Sequence, residues 1–151
     1  MGTTMSNKEN TIELLSEIYR NVTTGSENLS NVIPKIHDKF LMRSVTEQME
    51  QYSTYAEQAG TMLKHHAVKP EKPSAMARIM SRTGVQLNTL FDSSDRHIAH
   101  MIVKGTKMGA DSLEKTLCRM ESMEPAPEAA ELARRVVEFE RKEGNKMKDF
   151  T

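Results

Sequence analysis

Apolar side chains early in the chain recur at three- and four-residue steps: Ile12, Leu15, Tyr19, Val22, Leu29 and Ile33 form one series, the spacing that lines one face of an α-helix. Ser6 followed by Glu9 has the form of a capping box, and Pro34 cannot continue a helix. The pattern therefore predicts a first helix from about residue 7 to 33, behind a flexible tail of residues 1–6, with Gly25 weakening its middle. A second stripe runs through Ile36, Phe40 or Leu41, Val45, Met49, Tyr52, Ala56, Ala59 and Leu63, while Arg43, Glu47, Glu50, Glu57 and Lys64 lie off it. It predicts a helix of about 28 residues, roughly 42 Å long.

Residues 67–73 hold Pro70 and Pro73 without periodicity and read as a loop. Ser74 can cap a short helix over 75–90, on which Met76, Met80, Thr83, Leu87 and Leu90 fall in line. The cluster Asp92-Ser93-Ser94-Asp95 interrupts it, because these side chains compete for backbone hydrogen bonds and favour caps. A fresh start near residue 94 then carries Ile98, Ile102, Gly105, Gly109, Leu113, Leu117 and Met120 on one stripe, closed by Pro125 and Pro127. The last helix, from about 128 to 148, shows Leu132, Val136, Phe139 and Met147, with Glu140 and Glu143 at its edge.

Short links make the first two long helices antiparallel, and likewise the last two, whereas a connection of about 25 residues is able to traverse a bundle. The expected fold is all-α: a ferritin-like up-down four-helix bundle in a single domain, 1–151, with a short crossover helix at 75–90 between the second and third long helices. Two stretches add to this: Asn88-Thr89-Leu90-Phe91-Asp92, and the run from His97 to Gly109, His-Ile-Ala-His-Met-Ile-Val-Lys-Gly-Thr-Lys-Met-Gly. Together with Gly25-Ser26-Glu27 and Leu41 to Tyr55, they make residues 11–150 resemble an uncharacterised ferritin-like bacterial family of about this length. The resemblance implies a shared helix order and no assigned activity, and a glutamate is usual in that family where this chain has His100.

Composition narrows the function classes. At 151 residues and 37% hydrophobic content the chain suffices for one real core. Lys plus Arg and Asp plus Glu both number 21, so no net positive field gathers nucleic acid. Cys118 is the sole cysteine, which excludes an internal disulfide and a paired-thiolate zinc site. No apolar run approaches the roughly 20 residues of a membrane span, and the first 30 residues lack a signal-peptide core. A cytoplasmic, membrane-free protein is expected. A secretory setting would be needed for the sequons Asn21-Val22-Thr23 and Asn28-Leu29-Ser30 to matter, and Met1 to Ser6 fits a myristoylation template loose enough to match by chance.

Candidate chemistry is sparse. His97 and His100 stand three apart on one helix, close enough to share a metal, and Glu27, Glu50, Glu140 and Glu143 are the candidates for facing carboxylates. Di-iron bundles use a Glu-x-x-His unit with glutamates from facing helices, and no long helix here has that unit. His100 falls with Lys104, Lys107 and Asp111 on a polar face, so a seam-edge histidine plus a solvated one is the plainer reading. His65-His66 at a helix C-terminus suits the helix dipole. Cys118 reads as a structural thiol, most of the twelve methionines as core filling, and Tyr52 and Tyr55 as half-buried packing, though their phenols are placed to reach carboxylates across the bundle.

Gly105 and Gly109 have the spacing that lets two helices approach closely, within the bundle or between subunits, with Met108 beside them. No phosphate-binding loop, nucleophile elbow or His-Glu-x-x-His occurs. Two functions remain. The first is a non-catalytic bundle without a cofactor, acting by self-association as a dimer or with a protein partner. The alternative is a ferritin-like protein binding iron or another divalent ion through His97, His100, Glu27, Glu50 and Glu143.

Overall fold

Four long helices make up most of a computed structural model that describes residues 2–71 and 94–151, with side chains described from Asn7 onward. They are α1 (Gly2–Val32), α2 (Lys39–His65), α3 (Asp95–Met120) and α4 (Pro127–Met147). Short 3₁₀ turns follow α1, α3 and α4. The crossover helix expected over 75–90, with its Ser74 cap and with Met76 and Met80, lies outside the described residues.

Local chemistry sets the helix ends. α1 begins at Gly2 rather than near residue 7. Ser6 is thus inside a wound helix, and a capping box requires non-helical backbone at that position. Pro34 stops α1 as expected, within the turn Ile33–Lys35. α2 starts three residues later than its stripe suggests, because Asp38 caps it: the Leu41 N–H donates to the Asp38 carboxylate at 2.8 Å. That register turns Leu41 into the core and leaves Phe40 76% exposed. Ser94 caps α3 by accepting from the His97 N–H. Ala126 ahead of α4 has no side-chain cap of its own. Thr11 of α1 supplies one, its hydroxyl accepting from the Ala126 N–H at 2.8 Å while donating to the Asn7 carbonyl.

Contacts between helix ends fix the directions. The Asp95 carboxylate at the start of α3 accepts the backbone N–H groups of both His37 and Asp38, at 2.8 and 2.7 Å, just before α2. α2 and α3 therefore begin at the same end of the bundle and run parallel. The far end of α3 meets the beginning of α1, where Asn10 donates to the Met123 carbonyl. A 27-residue α2 is about 40 Å long, so the connection from residue 66 to 94 joins opposite ends of the bundle. Two antiparallel hairpins, α1–α2 and α3–α4, pack together in this arrangement.

The core draws on all four helices: Leu14, Leu15, Ile18 and Val22 from α1, Leu41, Val45 and Leu63 from α2, Ile98, Ile102, Leu113 and Met120 from α3, and Leu132, Val136 and Met147 from α4. Each such side chain contributes roughly 1.5–3 kcal/mol of apolar burial. The expected stripes missed Leu14 and Ile18, which broaden the buried face of α1. Cys118 is exposed rather than structural, and its neighbour Arg119 pairs with Glu13 of α1. Met108 and Met123 are exposed too, whereas Met120 and Met147 are fully buried. No helix among the described residues is long and apolar enough to cross a membrane.

Candidate functional site

Between α1 and α3 the bundle opens into a cleft of about 720 Å³. Its walls come from the facing sides of these helices, among them Asn21, Gly25, Leu29 and Val32 on α1 and Ile102, Thr106, Gly109 and Leu113 on α3. Its floor is formed by Gln48 and Tyr52 of α2 and Glu140 of α4, which are 1%, 3% and 2% exposed. Polar side chains so thoroughly buried are costly unless they find partners.

Small residues make this arrangement possible. A Cβ at Gly25 would stand 2.7–2.9 Å from the Tyr52 ring, so the ring lies flat against the backbone of α1. Phe139 also packs against it, edge to face, with centroids 5.1 Å apart. With the ring held by these contacts, the Tyr52 hydroxyl donates to Glu140 Oε2 at 2.8 Å. Gly109 clears space for the same carboxylate: a Cβ there would overlap Oε2 and sit 3.1 Å from Cδ. Asn21 spans the cleft and donates to the Gly109 carbonyl at 3.0 Å. Gly144 plays the close-packing part on α4, where a Cβ would stand 2.8 Å from the Thr106 hydroxyl.

The Gly105–Gly109 pair is therefore not a helix-crossing motif within the bundle. Gly109 accommodates a side chain, and Gly105 faces open space, since a Cβ there would meet nothing within 4 Å. The tight α3–α4 approach falls instead on Gly144 and Thr106. Met108, beside the pair, is 67% exposed at the rim of the cleft.

The floor has unusual proton chemistry. Burial pushes the Glu140 carboxyl up to about 7 from its ordinary 4.5, against the hydrogen bond from Tyr52, the nearby amide of Asn21 and the charge of Arg141, which favour ionisation. Burial, then the neighbouring Glu140 charge and the hydrogen bond to it, raise the Tyr52 phenol well above its ordinary 10. Glu140 thus gains and loses its proton near neutral pH, while Tyr52 stays a hydrogen-bond donor. Several atoms in the floor and the adjoining wall have no hydrogen-bond partner among the described residues: Glu140 Oε1, both Oε1 and Nε2 of Gln48, and Asn21 Oδ1.

The expected metal ligands do not converge. His100 is exposed with Lys104 and Lys107, because Ile98, Ile102 and Thr106 define the inward face of α3. His97 is half-buried one turn away, Glu27 is half-buried on α1, and Glu50 is exposed on α2. Glu143 is buried, with Lys146 3.4 Å from its carboxylate. No three His, Cys, Asp or Glu side chains among the described residues come together around a position for a metal ion. Both interior carboxylates, Glu140 and Glu143, project from α4, and the groups opposite are the neutral Asn21, Gln48, Tyr52 and Thr106. A di-iron bundle site draws glutamates from facing helices, and with both interior carboxylates on one helix this donor set does not supply one.

Sequence reasoning placed Tyr52 and Glu140 on their helices without joining them, and it passed over Gln48. The available signal was spacing: Gln48 stands between Val45 and Tyr52 at the three- and four-residue steps of the α2 stripe. Tyr55, the other candidate phenol, is half-buried against Phe139 as expected.

No protein-family model matches the chain, and no curated protein matches it. The family resemblance drawn from the His97–Gly109 run thus has no support from those comparisons. Among solved structures, the chain is similar to the crystal structure of Dps92 from Deinococcus radiodurans, with a TM-score of 0.71 over 95% of this chain and 87% of that one. The two sequences are 10% identical, so the likeness is one of fold alone. With its parallel second and third helices joined across the length of the bundle, the chain has the ferritin-like four-helix fold.

Proposed function

We propose that this protein is a non-catalytic bundle that binds a small molecule in the cleft between α1 and α3. The observation that carries this reading lies at the base of the cleft: Glu140 and Gln48 of the floor and Asn21 of the adjoining wall have buried hydrogen-bonding atoms without partners among the described residues, in an opening of about 720 Å³. Such groups cost about 1–3 kcal/mol each when left unmatched. A concave, largely apolar site with a few convergent polar atoms is the usual form of a ligand pocket.

The neutral probe Nile red tests the reading. Wild-type protein is expected to bind it at one site with enhanced fluorescence. Gly105→Phe is expected to abolish that binding without lowering thermal stability, because Gly105 lines the cleft and a Cβ there meets nothing within 4 Å. Probe binding unchanged in Gly105→Phe would refute the assignment.

Self-association, the other expectation, keeps one specific support in Phe40, 76% exposed, and Met108, 67% exposed, since large apolar surface left in water often marks an interface. Light scattering on wild type and Met108→Lys tests it, and a monomer in both would exclude it. Gly109→Leu is unsuitable for that purpose because it would strike Glu140 within the monomer.

A further inference from the structure

If the cleft binds a small molecule, as proposed above, its floor also defines what kind. At the base of the cleft, the atoms without partners among the described residues are mostly acceptors: Glu140 Oε1, Gln48 Oε1 and Asn21 Oδ1, beside the donor Gln48 Nε2. The carriers of two of them, Gln48 and Glu140, are at least 98% buried, being 1% and 2% exposed. Tyr52 does not add a donor for a ligand, since its hydroxyl is spent on Glu140 Oε2. Asn21 Nδ2 is likewise engaged, with the Gly109 carbonyl.

An anionic ligand would set its own acceptors against these oxygens and its charge against Glu140. A simple alcohol offers one donor. A primary ammonium offers three N–H donors, no acceptor and a positive charge, and its hydrogen bonds to a carboxylate belong to the stronger, charge-assisted class. The walls above the floor are aliphatic, with Leu29, Val32, Ile102 and Leu113, which suits an apolar body attached to that head. At the rim Glu17 is paired with Arg20, and Lys104 stands exposed, so the preference for a cation is set at the floor and not at the mouth.

We infer that the cleft receives a small primary amine, its ammonium directed at Glu140, Gln48 and Asn21 and its apolar body lying against the aliphatic walls. Affinity then depends on the Glu140 carboxylate and on the amide oxygen of Gln48.

Displacement of Nile red by three probes of matched length, hexylamine, hexan-1-ol and hexanoate, separates the possibilities at pH 8. Hexylamine is expected to displace the dye at concentrations at least tenfold below hexan-1-ol, and hexanoate to be weakest. Calorimetry with hexylamine alone is expected to show at least a tenfold loss of affinity in Glu140→Gln. Gln48→Met, which keeps the volume and removes the amide oxygen, is expected to show a smaller loss in the same direction. Equal displacement by the amine and the alcohol, or unchanged hexylamine affinity in both variants, would overturn the inference while leaving the cleft as a binding site. Failure of wild type to bind Nile red, or binding untouched by Gly105→Phe, would instead bring down the reading on which it rests.

Discussion

Replacing Glu140 by glutamine is expected to flatten the pH dependence of stability in a defined window. In the folded protein this carboxyl holds its proton up to about pH 7, and in the unfolded chain only to about its ordinary 4.5. Below 4.5 both states are protonated and the stabilising contribution is fully present. Between 4.5 and about 7 the unfolded chain releases the proton first, so the native state binds more protons and stability falls as pH rises. Above 7 the contribution is gone, and the buried carboxylate remains with only Tyr52, Asn21 and Arg141 to favour its charge. The separation corresponds to about 3 kcal/mol, and at 2% exposure solvent does little to screen it. The amide introduced by Glu140→Gln would keep an oxygen for the Tyr52 hydroxyl and have nothing to ionise. Urea denaturation of both proteins at pH 4.5, 6 and 8, read as the difference between them, cancels the other titrating groups. The variant is expected to match wild type near pH 4.5 and to exceed it by up to about 3 kcal/mol at pH 8. Parallel stability curves for the two proteins would show that Glu140 is ordinary in the fold and the reasoning wrong.

Three further predictions concern the backbone. Gly105→Ala is expected to raise stability by about 1 kcal/mol through helix propensity alone, because its Cβ meets nothing, whereas Gly25→Ala, with the same propensity gain, is expected to lose about 1–3 kcal/mol against the rigid Tyr52 ring. Equal effects in urea denaturation would refute the contrast. Ala67 ends α2 in the left-handed region with φ 59°, its N–H and that of Val68 closing onto the Lys64 and Leu63 carbonyls, so Ala67→Gly is expected to add about 0.5–1 kcal/mol, seen as a rise in Tm. Asp95→Ala removes the acceptor for two backbone N–H groups ahead of α2 and is expected to cost about 1–3 kcal/mol, measured by the same denaturation.

The fold was legible because it rests on patterns that single sequences carry. Apolar spacing located the four helices, Pro34, Pro125 and Pro127 punctuated them, and the length of the 66–94 connection pointed to the crossover. Boundaries were missed where a cap belongs to another position or another helix: Asp38 shifted the start of α2, and Thr11 caps α4 from across the bundle. The site was less legible because its members are polar residues at core positions. A periodicity argument discounts Gln48 and sets Glu140 at an edge, and only their burial shows them facing inward. The glycines spoke indirectly. Gly25, Gly109 and Gly144 each weaken a helix, and each proves to touch a side chain that needs the room: Tyr52, Glu140 and Thr106. His97 and His100 drew notice by residue type, but only three-dimensional placement shows that they join no cluster of three potential metal ligands among the described residues.

The position of the cleft has a mechanical consequence. Gln48, Tyr52 and the α1 wall belong to one hairpin, and Glu140 and the α3 wall belong to the other, so an occupant bridges two halves whose covalent link is the 66–94 connection. The bond from Asn21 to the Gly109 carbonyl and that from Tyr52 to Glu140 already act as stitches across this division. A bound molecule would work as a further clasp, slowing the parting of the hairpins more than the fraying of either one. Amide exchange would register it as added protection concentrated along the shared seam, in the facing turns of α1 and α3.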